Sequence, residues 1–129
     1  MELEQIVAPG LNNIYSLSVV KKEFRNSVDE PWKDTDPYPR YQKKLLEDLA
    51  VLDDQKEDAI TLLQYEKLTG EERLYSIRHP NTKKNVRVLY TIVNGTYIIL
   101  LHAFLEKSSN DYKKAITVAK KRLKWLDDD

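Results

Sequence analysis

The chain contains no cysteine, so neither a disulfide framework nor a thiolate metal site is open to it, and a reducing compartment fits it best. Two histidines are too few for a convincing zinc centre, and neither a metal ion nor an organic cofactor is expected. No apolar run approaches the length that crosses a bilayer. The opening MELEQIVAPG is acidic and lacks the basic region and long apolar stretch of a signal peptide, so a cytoplasmic, membrane-free location is expected. Only three glycines occur, and one of them, Gly95, follows an asparagine between two apolar runs. What is present is ordinary for a globular chain: 129 residues, 41% hydrophobic and 33% charged, predicting a single domain over 1–129.

The formal net charge is zero, but its distribution is not even. Residues 1–72 hold 9 Lys/Arg against 16 Asp/Glu, whereas residues 73–126 hold 12 Lys/Arg against only Glu106 and Asp111. Either the acidic half neutralises the basic half across the fold, or the basic half meets a polyanion.

Taken in order, Tyr15, Leu17 and Val19 alternate with Ser16 and Ser18, which predicts a half-buried strand over Ile14–Val20. Residues 26–39 carry three prolines and four acids and are expected to form an irregular loop pinned by Trp32. Tyr41, Leu45, Leu49 and Leu52 form the stripe of a helix over 40–52. Asp53 or Asp54 can cap a second helix, with Ala59, Ile60, Leu63 and Leu68 inward and Gly70 at its end. The two helices are expected to make a hairpin on a sheet. Near the C-terminus, Ser108-Ser109-Asn110-Asp111 offers cap chemistry for a last helix, with Ala115, Ile116, Ala119, Leu123 and Leu126 inward and lysines outward.

Between them, Arg73–Lys107 reads as a three-stranded antiparallel meander. Asn94-Gly95 is the strongest short hairpin signal, because both residues tolerate the positive φ of a type I′ turn. A two-residue turn there places Ile92 opposite Tyr97, Tyr90 opposite Ile99, Val88 opposite Leu101 and Arg87 opposite His102. If the PNTKKN connection closes symmetrically, Arg78 stands opposite Arg87, giving the row Arg78–Arg87–His102 on the face away from the main core. Two arginines face to face are destabilising unless an anion or a carboxylate joins them. The row therefore marks an anion site, or each arginine has an acid of its own; His102 is either an acid or base, or an interior histidine.

Three stretches carry a resemblance to a known family: LYSIRH (Leu74–His79), VRVLYTIVNGTYIILLHAFLEKS (Val86–Ser108) and AKKRLKWL (Ala119–Leu126). In this order they are similar to the LYELR, YRVLY, ILLHGFxKK and AxxRLxxY-like elements of the RelE/HigB superfamily of bacterial toxins, nearest its phage-derived host-inhibition branch. The likeness covers roughly residues 40–126. It implies an α+β, RelE-like fold, in which an antiparallel sheet of N-terminal strand plus meander is packed by a helical hairpin and a C-terminal helix. It also implies the toxin of a toxin–antitoxin system: a metal-independent, ribosome-dependent mRNA endonuclease whose partners are mRNA on the ribosome and a cognate antitoxin. Matched residue by residue, Arg78, Arg87 and Lys107 fall on motif positions and Tyr112 lies near that of a helix tyrosine used in some members; with His102 they form the expected catalytic set. His79, Lys83, Lys84, Lys113 and Lys114 would extend it as an RNA-binding surface. One departure is Glu106, where the family often has lysine; it is a general base, a partner of Lys107, or a mark of reduced activity. The superfamily also implies two alternatives, a gyrase poison and a catalytically degenerate antitoxin-binding module.

Overall fold

A computed structural model describes residues 1–29, 38–78 and 85–128. Among the described residues the strands are β1 (Leu3–Gln5), β2 (Ile14–Leu17), β3 (Tyr65–Lys67), β4 (Tyr75–Arg78), β5 (Val86–Val93) and β6 (Tyr97–Leu105), and the helices α1 (Val19–Asp29), α2 (Tyr38–Gln55) and α3 (Ser109–Asp128). The strands form one sheet in the order β1-β2-β6-β5-β4-β3, so the class is α+β. The meander β4-β5-β6 is present and antiparallel. The N-terminal strand β2, however, joins β6 in parallel, which the long connection through two helices and three strands permits. Two short strands, β1 and β3, extend the sheet at its edges beyond the four expected.

The helical layer also differs from the expected hairpin. The period-2 pattern stops at Leu17; from Val19 the chain coils into α1, whose buried Val20, Phe24 and Val28 recur every fourth residue. That stripe ran into the presumed loop at 26–39, of which Asn26–Asp29 ends α1 and Tyr38 and Pro39 open α2. Pro39 is tolerated because the first turn of a helix needs no amide donor there. Trp32, Pro31 and Pro37 lie outside the described residues. The second helix expected after Asp53 is instead a 3-10 turn at Lys56–Thr61 followed by β3. Lys56 adopts φ +53°, which no α-helix accommodates, and Leu62 is extended. Ala59 and Leu68 are buried as expected, but Ile60 and Leu63 are exposed.

The Asn94-Gly95 turn has the expected left-handed pair, φ +55° and +66°. Thr96 then bonds back to Val93 and adds one residue to the turn, so Val93 pairs with Tyr97, Ile92 with Ile98 and Tyr90 with Leu100. A second irregularity follows: Leu89 pairs with His102, leaving Leu101 as an unmatched bulge residue. The first shift corrects the expected turn-proximal pairs and turns Tyr97 outward, 41% exposed, while Ile98 is fully buried. The second restores the parity of the faces, so Arg87 faces Phe104 rather than His102 yet still shares its face with both.

Asp53, buried at the end of α2, holds the loop between β1 and β2. Its carboxylate accepts the Asn12 and Asn13 amide N–H groups at 2.7 and 3.3 Å and pairs with Lys56 at 2.7 Å. Burial alone would raise its carboxyl, but Lys56 and the two amides hold it below the ordinary value of 3.8. A lowered acid stabilises the fold above its unfolded pKa and loses that contribution as the pH falls. Asp53→Ala should therefore cost about 2–3 kcal/mol in urea unfolding at pH 7, with the difference shrinking below about pH 4.

Candidate functional site

Cross-strand pairing sets two adjacent rows on one face of the sheet: Glu66–Ser76–Leu89–His102, and Arg78–Arg87–Phe104. The expected Arg78 opposite Arg87 is present. His79, Lys83 and Lys84 lie outside the described residues.

Arg87 is the centre of the arrangement and only 11% exposed. Its Nε donates to Glu106 at 2.9 Å, and its Nη1 approaches Glu66 at 3.4 Å and the Ser76 hydroxyl at 3.5 Å. Its guanidinium lies over the Tyr112 ring, 4.9 Å from the centroid. Tyr112 Oη in turn donates to Glu66 at 2.8 Å. Burial, then the Glu66 hydrogen bond and charge, push the Tyr112 phenol well above its usual range against the opposing effect of Arg87, so it stays a neutral donor. Arg78 turns away from Arg87: its Nε donates to the Leu63 carbonyl at 2.9 Å. The like-charge conflict that the register creates, worth up to about 1 kcal/mol, is thus met by charge-assisted bonds of about 1.5–3 kcal/mol each. Glu106 pairs with Arg87 at 2.9 Å.

Lys107 sits at the β6–α3 junction, exposed, and its amide N–H and that of Ser108 donate to the Asp111 carboxylate at 2.9 and 3.0 Å. Lys113 and Lys114 are exposed in the first turns of α3, and Lys120, Lys121 and Lys124 continue that face. Lys120 reaches Glu71 at 3.4 Å.

His102 belongs to a second cluster. Glu23 of α1 accepts Arg122 of α3 through both oxygens, at 2.7 and 2.9 Å, and lies 3.0 Å from His102 Nδ1. Arg122 Nη1 also donates to the Leu101 carbonyl at 2.8 Å, and the Ala103 amide donates to Glu23 at 3.4 Å. Burial would raise the Glu23 carboxyl, but the hydrogen bonds and charges of His102 and Arg122 hold it at about 2. The His102 ring stacks on Phe104, 5.7 Å between centroids, and Phe104 meets Tyr112 edge-on at 5.9 Å. His102 therefore stands in a structural cluster beside the arginine site, joined to it through Phe104.

The expected set is thus partly gathered. Arg87 and Tyr112 touch; Arg78 is on the same face; Lys107 is at its rim; His102 is one aromatic ring away. Sequence reasoning missed Glu66, because residues 53–70 read as a helix and hid the short Tyr65-Glu66-Lys67 strand. It also missed Glu23 and Arg122. Arg122 was visible in AKKRLKWL as a cation beside the inward Leu123, on the border of the apolar stripe rather than on the lysine face. Among the described residues, no three metal-ligating side chains converge, and no helix is long and apolar enough to cross a membrane.

The family model for phage-derived Gp49-like proteins matches residues 38–124. Among solved structures the chain is similar to a double arginine mutant of the E. coli toxin RelE in the free state, at 19% identity, over 81% of this chain and 93% of that one, with a TM-score of 0.46. No curated protein matches it.

The Glu23–Arg122 pair closes α1 and α3 onto β6, and its loss leaves a half-buried guanidinium without its carboxylate. Glu23→Gln should cost about 2 kcal/mol at pH 7, read as a drop in the urea midpoint. Because the Glu23 carboxyl is lowered, the stabilisation is fully present above about pH 4.5 and fades only as the pH approaches 2. Melts at pH 3 should still separate the two proteins.

Proposed function

The chain belongs to the phage-derived Gp49-like family, and from that premise we propose that it is the toxin of a toxin–antitoxin pair that cleaves mRNA on the ribosome without a metal. The observation that carries this reading is the pair Arg78 and Arg87, in direct cross-strand register on one face, with Tyr112 packed on the second. At rest the two side chains diverge, Arg78 to the Leu63 carbonyl and Arg87 to its carboxylates, and a phosphodiester is an anion that guanidiniums rising from adjacent strands of one face suit.

In the reaction, the ribose 2′-OH attacks the adjacent phosphorus, the bond to the 5′-oxygen breaks, and a 2′,3′-cyclic phosphate and a 5′-hydroxyl result. Arg87 stabilises the added charge on the phosphoryl oxygens, exchanging part of its carboxylate pairing for the substrate. Arg78 and Lys107 orient the strand. Glu106, on Arg87 and half-buried, takes the 2′-OH proton. The Tyr112 hydroxyl, turning from Glu66, donates a hydrogen bond to the departing oxygen, which takes its proton from water. Lys113 and Lys114 attract the backbone.

A second reading has its own observation. Arg87 already holds two carboxylates of its own chain, which is also what a module that only binds its antitoxin would tolerate. Primer extension on translating ribosomes separates the two. New 5′-ends with the wild type, reduced about 10²–10³-fold by Arg87→Ala, support the nuclease. No ends and no growth arrest, with a neighbouring gene product co-purifying, support the module; gyrase-dependent DNA breaks would overturn both. Glu106→Gln should lower cleavage on translating ribosomes, read by the same primer extension.

A further inference from the structure

Between α1 and the end of β6 lies an open cleft of about 360 Å³, lined by Glu23, Asn26, Phe104, Leu105 and Lys107 among others. We propose that it seats the base of one unpaired nucleotide, with Phe104 as its aromatic wall and Glu23 and Asn26 meeting its polar edge. This rests on the reading that the protein handles RNA.

Three observations carry it. The first is size, since the volume falls at the small end of the roughly 300–1,000 Å³ usual for small-molecule sites. The second is charge. The acids of the cleft are already balanced: Glu23 pairs with Arg122, and Asp111 accepts the Lys107 and Ser108 amides. A neutral ring with hydrogen-bonding edges suits such a lining better than a phosphate does. Glu23, held ionised by Arg122 and His102, accepts from an amino group or a ring N–H, and the Asn26 carboxamide can donate and accept. The third is continuity. Phe104 is the cross-strand partner of Arg87 and touches Tyr112, on which the Arg87 guanidinium lies. A nucleotide with its phosphate at Arg87 therefore finds the cleft on the other side of a single side chain. Stacking on aromatic walls is the usual grip on unpaired bases.

The test titrates the whole protein with the four nucleoside 5′-monophosphates and with ribose 5-phosphate, following backbone and Asn26 side-chain amides by NMR. Each nucleotide is expected to shift Asn26, Ala103 and Leu105, and ribose 5-phosphate to leave them unmoved. Asn26→Ala should weaken nucleotide binding about fivefold, the loss of one hydrogen bond. Phe104→Leu, which keeps an apolar side chain, should weaken it about tenfold or more. Equal shifts with ribose 5-phosphate, or no shift in the cleft with any nucleotide, would overturn the proposal. Cleft shifts without ribosomal cleavage would leave the nucleotide seat standing and remove only the nuclease; cleavage without cleft shifts would do the reverse.

Discussion

The unmatched Leu101 in β6 is the constraint on which the arrangement turns. Around it, two backbone groups of β6 are taken up by helices. The Leu101 carbonyl accepts Arg122 from α3, and the Ala103 amide donates to Glu23 from α1. Since Glu23 and Arg122 also bind each other, this stretch of a central strand is tied to two helices at once. The same bulge restores the side-chain parity lost at the Asn94-Gly95 turn, so Arg87, His102 and Phe104 share a face.

Arg87 carries the chemistry that this geometry allows. It is enclosed by Glu106, Glu66 and the Tyr112 ring, which fix its plane before any ligand arrives. Preorganisation of this kind removes the ordering cost of a long side chain at the moment of reaction. It also sets a condition: an incoming phosphate has to offer more than the carboxylate it displaces.

The uneven charge along the chain is spent in both of the ways open to it. Glu66, Glu71 and Glu23, from the acidic half, pair with Arg87, Lys120 and Arg122 from the basic half. Lys113, Lys114, Lys121 and Lys124 stay on an exposed face of α3, where a polyanion can meet them. Internal neutralisation and an outward basic surface thus coexist, because pairing consumed the cations nearest the sheet and left those on the far side of the helix.

Local chemistry determined what the sequence by itself could settle. The Asn-Gly pair set a left-handed turn, apolar periodicity set the α2 and α3 stripes, and the strands of the meander followed from alternation. The opposition of Arg78 and Arg87 depended on how the PNTKKN connection closes, and the pairing of β4 with β5 decided it. Tertiary structure alone decided the rest. A single residue added after the turn and another at Leu101 are invisible to alternation, because each costs little locally and is set by how β6 packs between β2 and β5. Residues 56–67 became a 3-10 turn and an edge strand because Tyr65 is buried by pairing with a strand 12 residues later, a contact no helical stripe announces. Glu66, Glu23 and Arg122 reached their partners only through those non-local choices. The sequence therefore determined which strands carry the cations; the fold decided their register and which acids answer them.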